Sequence, residues 1–173
     1  MKLTRNILLL VAGLALAACT DPGRFGTDGS GAGGIGGAGG GAIVPGSAND
    51  PTSTAYFNQT VGDRVLFSVD ESAINAVGQT TVEGQAQWLL ANTDYTAVIE
   101  GHADEQGTRE YNVALGARRA NAVREYLISR GVAGNRLQTV SYGKERPIEI
   151  CSSEECYAKN RRAVTVLASG LSG

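Results

Sequence analysis

Apolar residues fall into three regimes along this chain: a continuous run over residues 6–18, a sparse stretch to about residue 58, and beyond it segments that alternate between strand-like and helix-like periods. Arg64 to Val69 predicts a short strand, followed by the turn-prone Asp70-Glu71-Ser72. Thr80-x-x-Glu83 has the form of a capping box, and Val82, Ala86, Leu89 and Leu90 then recur at i, i+4, i+7 and i+8. This predicts a first helix, with Trp88 at the edge of its apolar face. Tyr95 to Glu100 predicts a second strand ended by Gly101, and the segment from about Thr108 to Arg130 a longer helix stopped by Gly131. Leu137 to Tyr142 and Arg162 to Ala168 predict two more strands, with a short helix between them over about Ser152 to Lys159. Two long helices against a four-stranded sheet make an α+β, two-layer sandwich.

The first apolar run changes what counts as the folded protein. Lys2 and Arg5 precede an Ile, Leu, Val, Ala and Gly segment that ends in small residues at Ala18, the layout of a secretory signal. A membrane-spanning helix is the alternative, but the run is too short for a hydrocarbon core of roughly 30 Å at about 1.5 Å per residue. Leu16-Ala17-Ala18-Cys19 resembles a bacterial lipobox, after which cleavage leaves cysteine as the first residue; the alternative is a plain signal with a coincidental cysteine. The resemblance implies a triacylated Cys19, and several acyl chains hold a leaflet far better than one. Thr20, rather than Asp, follows Cys19, which by the same resemblance implies the outer membrane.

The chain has 173 residues, and 12 of its 24 glycines fall between Gly23 and Gly46. From Thr20 to about Asn58 the composition cannot bury enough apolar surface to offset ordering entropy, so a disordered tether is expected. Its r.m.s. reach as a Gly-rich coil is roughly 35 Å and its extended limit about 130 Å. A phosphate-cradling loop is excluded because no strand precedes the glycines and no Gly-Lys-Ser/Thr follows, and collagen because the glycines lack a three-residue period. Residues 59–173 are left as one domain. Loss of Lys2 and Arg5 from 15 basic residues leaves 13 against 17 acidic ones, a charge near -4 with no basic footprint for nucleic acid.

Chemistry concentrates in Gly101-His-Ala-Asp-Glu-Gln-Gly-Thr108, which places the only His and two acids between a strand and a helix N-terminus. Asp104 and Glu105 there have two readings, ligand binding or simple complementing of the helix dipole. In the following helix Val113, Gly116, Ala117, Ala120, Val123 and Leu127 form one apolar stripe, which puts Arg118 in solvent and Arg119 at the boundary, about 100° from its centre. The planar fork of Arg119 suits either a ligand carboxylate or an internal ion pair with Asp104. Catalysis finds little footing: His102 has no nucleophile elbow to serve, adjacent acids need not face each other as a glycosidase pair must, and His102 with Asp104 supplies too few ligands for a metal. No cofactor is implied. Cys151 and Cys156 are not spaced as in redox enzymes; they form either a structural disulfide in an oxidising compartment or two free thiols.

These segments together resemble a known family. The run from Val98 to Val123, VIEGHADEQGTREYNVALGARRANAV, with Val140-Ser-Tyr-Gly-Lys-Glu-Arg-Pro147 and Tyr157-Ala-Lys-Asn-Arg-Arg-Ala-Val164, is similar to the OmpA-like peptidoglycan-binding domain, in the form that lipoproteins of the Tol-Pal system carry. The resemblance covers roughly residues 62–168 and implies a βαβαββ arrangement with two main helices on one face of a four-stranded mixed sheet. It implies a non-enzymatic protein that holds meso-diaminopimelate of peptidoglycan stem peptides, with Asp104 accepting from the amine, Arg119 meeting the carboxylate, Asp70 as a further contact and Leu115 lining the pocket. Asn112 and Arg161 fall on motif positions expected to hold the loop and the sheet edge. The implied setting is the periplasmic face of the outer membrane, with TolB and other Tol-Pal components as partners, in envelope integrity and constriction at division. An OmpA-like lipoprotein outside Tol-Pal is the alternative, and a hydrolase the alternative of a different class. Three positions depart from the family: Val69 replaces an aromatic, Gln106 a common Arg, and Arg109 a common Pro. Cys151 and Cys156 stand where many relatives have Gly and Ala.

Overall fold

The computed structural model describes residues 43–150 and 152–169, so the expected signal segment, Cys19, the tether as far as residue 42, and Cys151 lie outside the described residues. A helical turn α1 (Thr54–Tyr56) runs into a π-helical turn (Phe57–Gly62), followed by β1 (Arg64–Leu66), α2 (Ala76–Ala91), β2 (Tyr95–His102) and α3 (Arg109–Ser129). A 3-10 turn (Gly134–Arg136), β3 (Leu137–Gly143), α4 (Glu154–Asn160) and β4 (Arg162–Ser169) complete the order. The sheet runs β1-β4-β2-β3, with β2 parallel to β3 and antiparallel to β4, and β4 antiparallel to β1. It is therefore an α+β fold with a mixed sheet, as the alternation along the sequence implies.

One face of every strand turns toward the helices. Val65, Ala97, Ile99, Leu137 and Ala163 pack with Val82, Ala86 and Leu89 of α2 and Ala120, Val123 and Leu127 of α3 in a single core. Burying each larger side chain of this set contributes about 1.5–3 kcal/mol. Thr108 caps α3, its hydroxyl accepting from the Tyr111 amide at 3.2 Å, and Gly131, the expected stop, takes φ 99° just past the helix end.

Three expectations are corrected. The capping box at Thr80 is not used: α2 starts five residues earlier, because Asn75 Oδ1 accepts from the Gly78 amide at 2.8 Å and satisfies the first turn there. Leu90 is exposed, and Trp88 and Gln85 occupy the buried face in its place. The folded region also begins well before residue 59. Phe57 is fully buried against Trp88, with ring centroids 4.9 Å apart, Trp88 Nε1 donates to the Pro51 carbonyl at 2.8 Å, and the Tyr95 hydroxyl donates to the Thr52 carbonyl at 3.0 Å. A short aromatic-bearing segment with low average hydropathy docks because two aromatic side chains of the domain supply both its apolar contacts and its hydrogen bonds.

β2 and α3 meet closely enough to fix their register. The position of a side chain at Gly101 is taken by the Gly116 backbone, and a Cβ on Gly116 would meet Ser141 Oγ at 2.4 Å and the Gly101 carbonyl oxygen at 2.8 Å. This pair of glycines brings the N-terminal half of α3 down onto the C-terminal end of β2, where the sheet delivers its functional loop.

Candidate functional site

The loop from Ala103 to Gly107 is held from all sides by groups that the motif segments supply. The Ala103 amide donates to the Gly143 carbonyl at 2.8 Å, and Asn112 Nδ2 to the Gln106 carbonyl at 2.6 Å. Lys144 Nζ reaches the Gly107 carbonyl at 2.7 Å, and Asn160 Nδ2 donates to Glu105 Oε1 at 2.8 Å. Asp104 is buried, with Oδ1 accepting from the Gln106 amide at 3.2 Å and Oδ2 paired with Arg161 Nη1 at 3.1 Å. Arg161 also donates through Nε to the Phe67 carbonyl at 3.2 Å and pairs with Glu154, so it joins the loop to the end of β1 and to α4. The holding roles expected of Asn112 and Arg161 are the ones these contacts perform.

Arg119 departs furthest from its sequence-based placement. Instead of sitting at the boundary of the stripe it is fully buried, while Val113 is 38% exposed. The face that packs is Asn112, Leu115, Gly116, Arg119, Ala120, Val123 and Leu127. Counting only apolar residues pulled the stripe toward Val113 and Ala117; polar residues are buried here because their hydrogen bonds are satisfied. Arg119 Nε donates to the Glu71 carbonyl at 2.8 Å, Nη1 to the His102 carbonyl at 2.8 Å and Nη2 to the Ser68 carbonyl at 3.1 Å, with the guanidinium over the Phe67 ring. Asp104 takes Arg161 as its ion-pair partner, so the internal pair with Arg119 does not form. Burial is the main cause that lowers the Arg119 pKa to about 10, partly opposed by Asp104, which leaves it charged at neutral pH. Three of its five N–H groups are used, leaving one on each terminal nitrogen.

Between α3, the 103–107 loop and the 68–71 turn lies a cavity of about 260 Å³. Asp70, Asp104, Leu115 and Arg119 all line it, together with Val69, Gln106, Gly107, Tyr111 and Asn112. Two carboxylates, one buried guanidinium and an apolar wall suit a small ligand that carries both charge signs on an aliphatic stem. Tyr111 was not singled out from the sequence, although it stands four residues before Leu115 and eight before Arg119, on the same side of α3. Lys144 was equally missed, since its contact spans 37 positions. Cys156 is buried and disulfide-bonded, while Cys151, the partner expected from the sequence, lies outside the described residues.

His102 ends β2 directly behind this site and is 1% exposed. Among the described residues neither ring nitrogen has a hydrogen-bond partner; Glu100 Oε2 lies 3.6 Å from Nε2, and the Tyr142 ring is 5.6 Å away. Burial first, then Arg162, Arg146 and Arg64, push its pKa down to about 4. The unfolded chain takes up this proton near the ordinary value of about 6.5, so full stability holds above that pH and is lost progressively as pH falls toward 4. The expected loss from this residue is about 2–3 kcal/mol. Urea midpoints at about pH 7 and about pH 4.5 should fall by more in the parent than in His102→Asn; equal falls would remove His102 from the account.

Comparison with known proteins places these features in context. Residues 66–161 match the OmpA family. The chain is 51% identical to the peptidoglycan-associated lipoprotein of Rhizobium meliloti over 161 residues, 93% of this chain and 86% of that protein. Its structure is similar to the crystal structure of the peptidoglycan-associated lipoprotein from Burkholderia pseudomallei, with a TM-score of 0.62 and 36% identity over 70% of this chain and 98% of the other. It is also similar to the C-terminal domain of Helicobacter pylori MotB, with a TM-score of 0.59 and 27% identity over 63% of this chain and 86% of that one.

Proposed function

The chain belongs to the OmpA family, among the peptidoglycan-associated lipoproteins, and from that premise we propose that it is a non-enzymatic anchor that holds the outer membrane to the cell wall by gripping meso-diaminopimelate of peptidoglycan stem peptides. The observation that carries this reading is the convergence of Asp70, Asp104, Leu115 and Arg119 on one cavity. The free end of a diaminopimelate side chain presents an ammonium and a carboxylate on the same carbon. Asp104 and Asp70 accept from the ammonium, the two remaining N–H groups of Arg119 meet the carboxylate, and Leu115 packs the methylene stem. Because Arg119 and Arg161 are already fixed by backbone carbonyls, the ligand orders few side chains on binding, which favours affinity.

In the same reading, the signal segment is removed and Cys19 carries the lipid in the periplasmic face of the outer membrane. Residues from Thr20 to the start of the described region act as the lead between lipid and domain. The domain takes TolB as its periplasmic partner within the Tol-Pal system and serves envelope integrity and constriction during division.

The test is co-sedimentation of the lipid-free mature chain, residues 20–173, with diaminopimelate-type sacculi. The chain should pellet and be displaced by free meso-diaminopimelate. Asp104→Asn should bind at least about tenfold more weakly, since a charge-assisted contact is worth about 1.5–3 kcal/mol. Its folding is checked by circular dichroism, because Arg161 loses a buried partner. A folded parent that stays in the supernatant sinks the wall-binding reading and leaves TolB capture as the function to test. Release of soluble muropeptides would instead indicate a hydrolase.

A further inference from the structure

Asp70 is held unlike any other residue at the cavity. Its φ is 59°, and among the described residues it is the one non-glycine with positive φ. That backbone is uncommon for L residues, though Asp tolerates it better than most, and such strain persists where surrounding contacts over-determine it. Those contacts come from two sides. Beneath the turn, Arg119 takes the Ser68 carbonyl before Asp70 and the Glu71 carbonyl after it, while the Glu71 amide donates to the Ser68 carbonyl at 3.3 Å. From α3, the Tyr111 hydroxyl donates directly to Asp70 Oδ1. Tyr111 is 44% exposed, lines the cavity, and has the Arg118 guanidinium 5.9 Å over its ring.

We propose that Tyr111 is a positioning residue for ligand binding: its hydroxyl fixes one oxygen of the Asp70 carboxylate across the mouth of the cavity and so aims the other at the ammonium of the ligand. A carboxylate on an exposed turn would otherwise rotate freely about χ1 and χ2, and an ammonium would have to order it on binding. With Oδ1 taken by the phenol, Oδ2 is the oxygen left for a ligand in the cavity that Asp70 lines with Asp104 and Arg119. The same contact raises the Tyr111 pKa, chiefly through the hydrogen bond to Asp70, which provides an independent signature in the ligand-free protein. This assignment rests on the reading of the cavity as a diaminopimelate site.

The experiment compares the lipid-free chain with Tyr111→Phe, Asp70→Asn and the double variant. Phenylalanine keeps the ring and the Arg118 stacking, and asparagine tolerates the left-handed backbone. Binding of a soluble stem tripeptide containing meso-diaminopimelate is measured by calorimetry, and tyrosine ionisation by ultraviolet titration without ligand. Tyr111→Phe is expected to weaken binding about 5- to 20-fold in the parent and less than about twofold in the Asp70→Asn background. The titration should contain one late-ionising tyrosine that disappears in Tyr111→Phe and returns to the ordinary range in Asp70→Asn. Equal losses in both backgrounds, or parent-like binding by Tyr111→Phe, overturn the positioning role; absence of a late-ionising tyrosine overturns the contact. A parent that shows the late-ionising tyrosine yet fails to bind the tripeptide overturns the diaminopimelate reading, and the ligand role of Tyr111 with it, while leaving the contact established.

Discussion

Arg119→Ala is expected to remove wall binding and to destabilise the domain by about 4 kcal/mol, a fall in melting temperature of roughly 15 °C. The stability loss comes from the three carbonyls of Ser68, Glu71 and His102, which all lose the Arg119 guanidinium as donor while the space beneath the 68–71 turn opens. Binding would then fail for two reasons at once, a lost carboxylate contact and a turn that no longer presents Asp70. Arg119→Lys separates them. Lysine restores the charge but not the planar fork, so it cannot satisfy three carbonyls in different directions. It should recover part of the stability and little of the binding. Calorimetric melting of the three proteins decides this: an Ala variant that melts with the parent would mean that the buried guanidinium is not the strut described above.

Gly101→Ala should be more damaging to folding than any substitution in the cavity itself. A Cβ there would stand 1.8 Å from the Gly116 carbonyl oxygen and 2.5 Å from its carbon, and both are backbone atoms with no rotamer to yield. Relief requires α3 to lift from β2, which pulls Arg119 and Asn112 away from the carbonyls they hold. The cost is expected to exceed the loss of about 4 kcal/mol at Arg119 and so to lie above the ordinary overpacking range of about 1–3 kcal/mol. Gly134→Ala is the control, since its nearest neighbours are side-chain atoms of Arg124 and Ile128 at 3.4 Å. Chemical denaturation should show Gly134→Ala near the parent and Gly101→Ala largely unfolded in buffer; a well-folded Gly101→Ala would contradict the close approach of β2 and α3.

Elements governed by local chemistry were legible from residue order alone. α3 begins just after Thr108 and ends before Gly131 because a hydroxyl cap and a left-handed glycine each act within one turn, and β4 follows the alternation of Arg162 to Ala168. The misread features depend on contacts between distant segments. Asn75 displaced Thr80 as the cap of α2 although both have suitable side chains. Phe57 lies in a segment of tether-like composition and is recruited by Trp88, 31 positions away. At the site, the residues that carry charge were recognisable, but their pairing was not. Asp104 chooses Arg161 across 57 positions, and Arg119 turns to backbone carbonyls that sequence patterns do not represent.

The attachment of Pro51 and Thr52 to Trp88 and Tyr95 has a mechanical consequence. The chain enters the folded region beside the first residue of β2, and the cavity lies just beyond the last. At about 3.3 Å per residue, those eight residues separate the two points by roughly 25 Å along a strand flanked on both sides, by β4 and by β3. Tension between entry and ligand therefore runs lengthwise through the central strand and loads both ladders in shear. Their hydrogen bonds resist together, where a pull across the sheet would open them one after another.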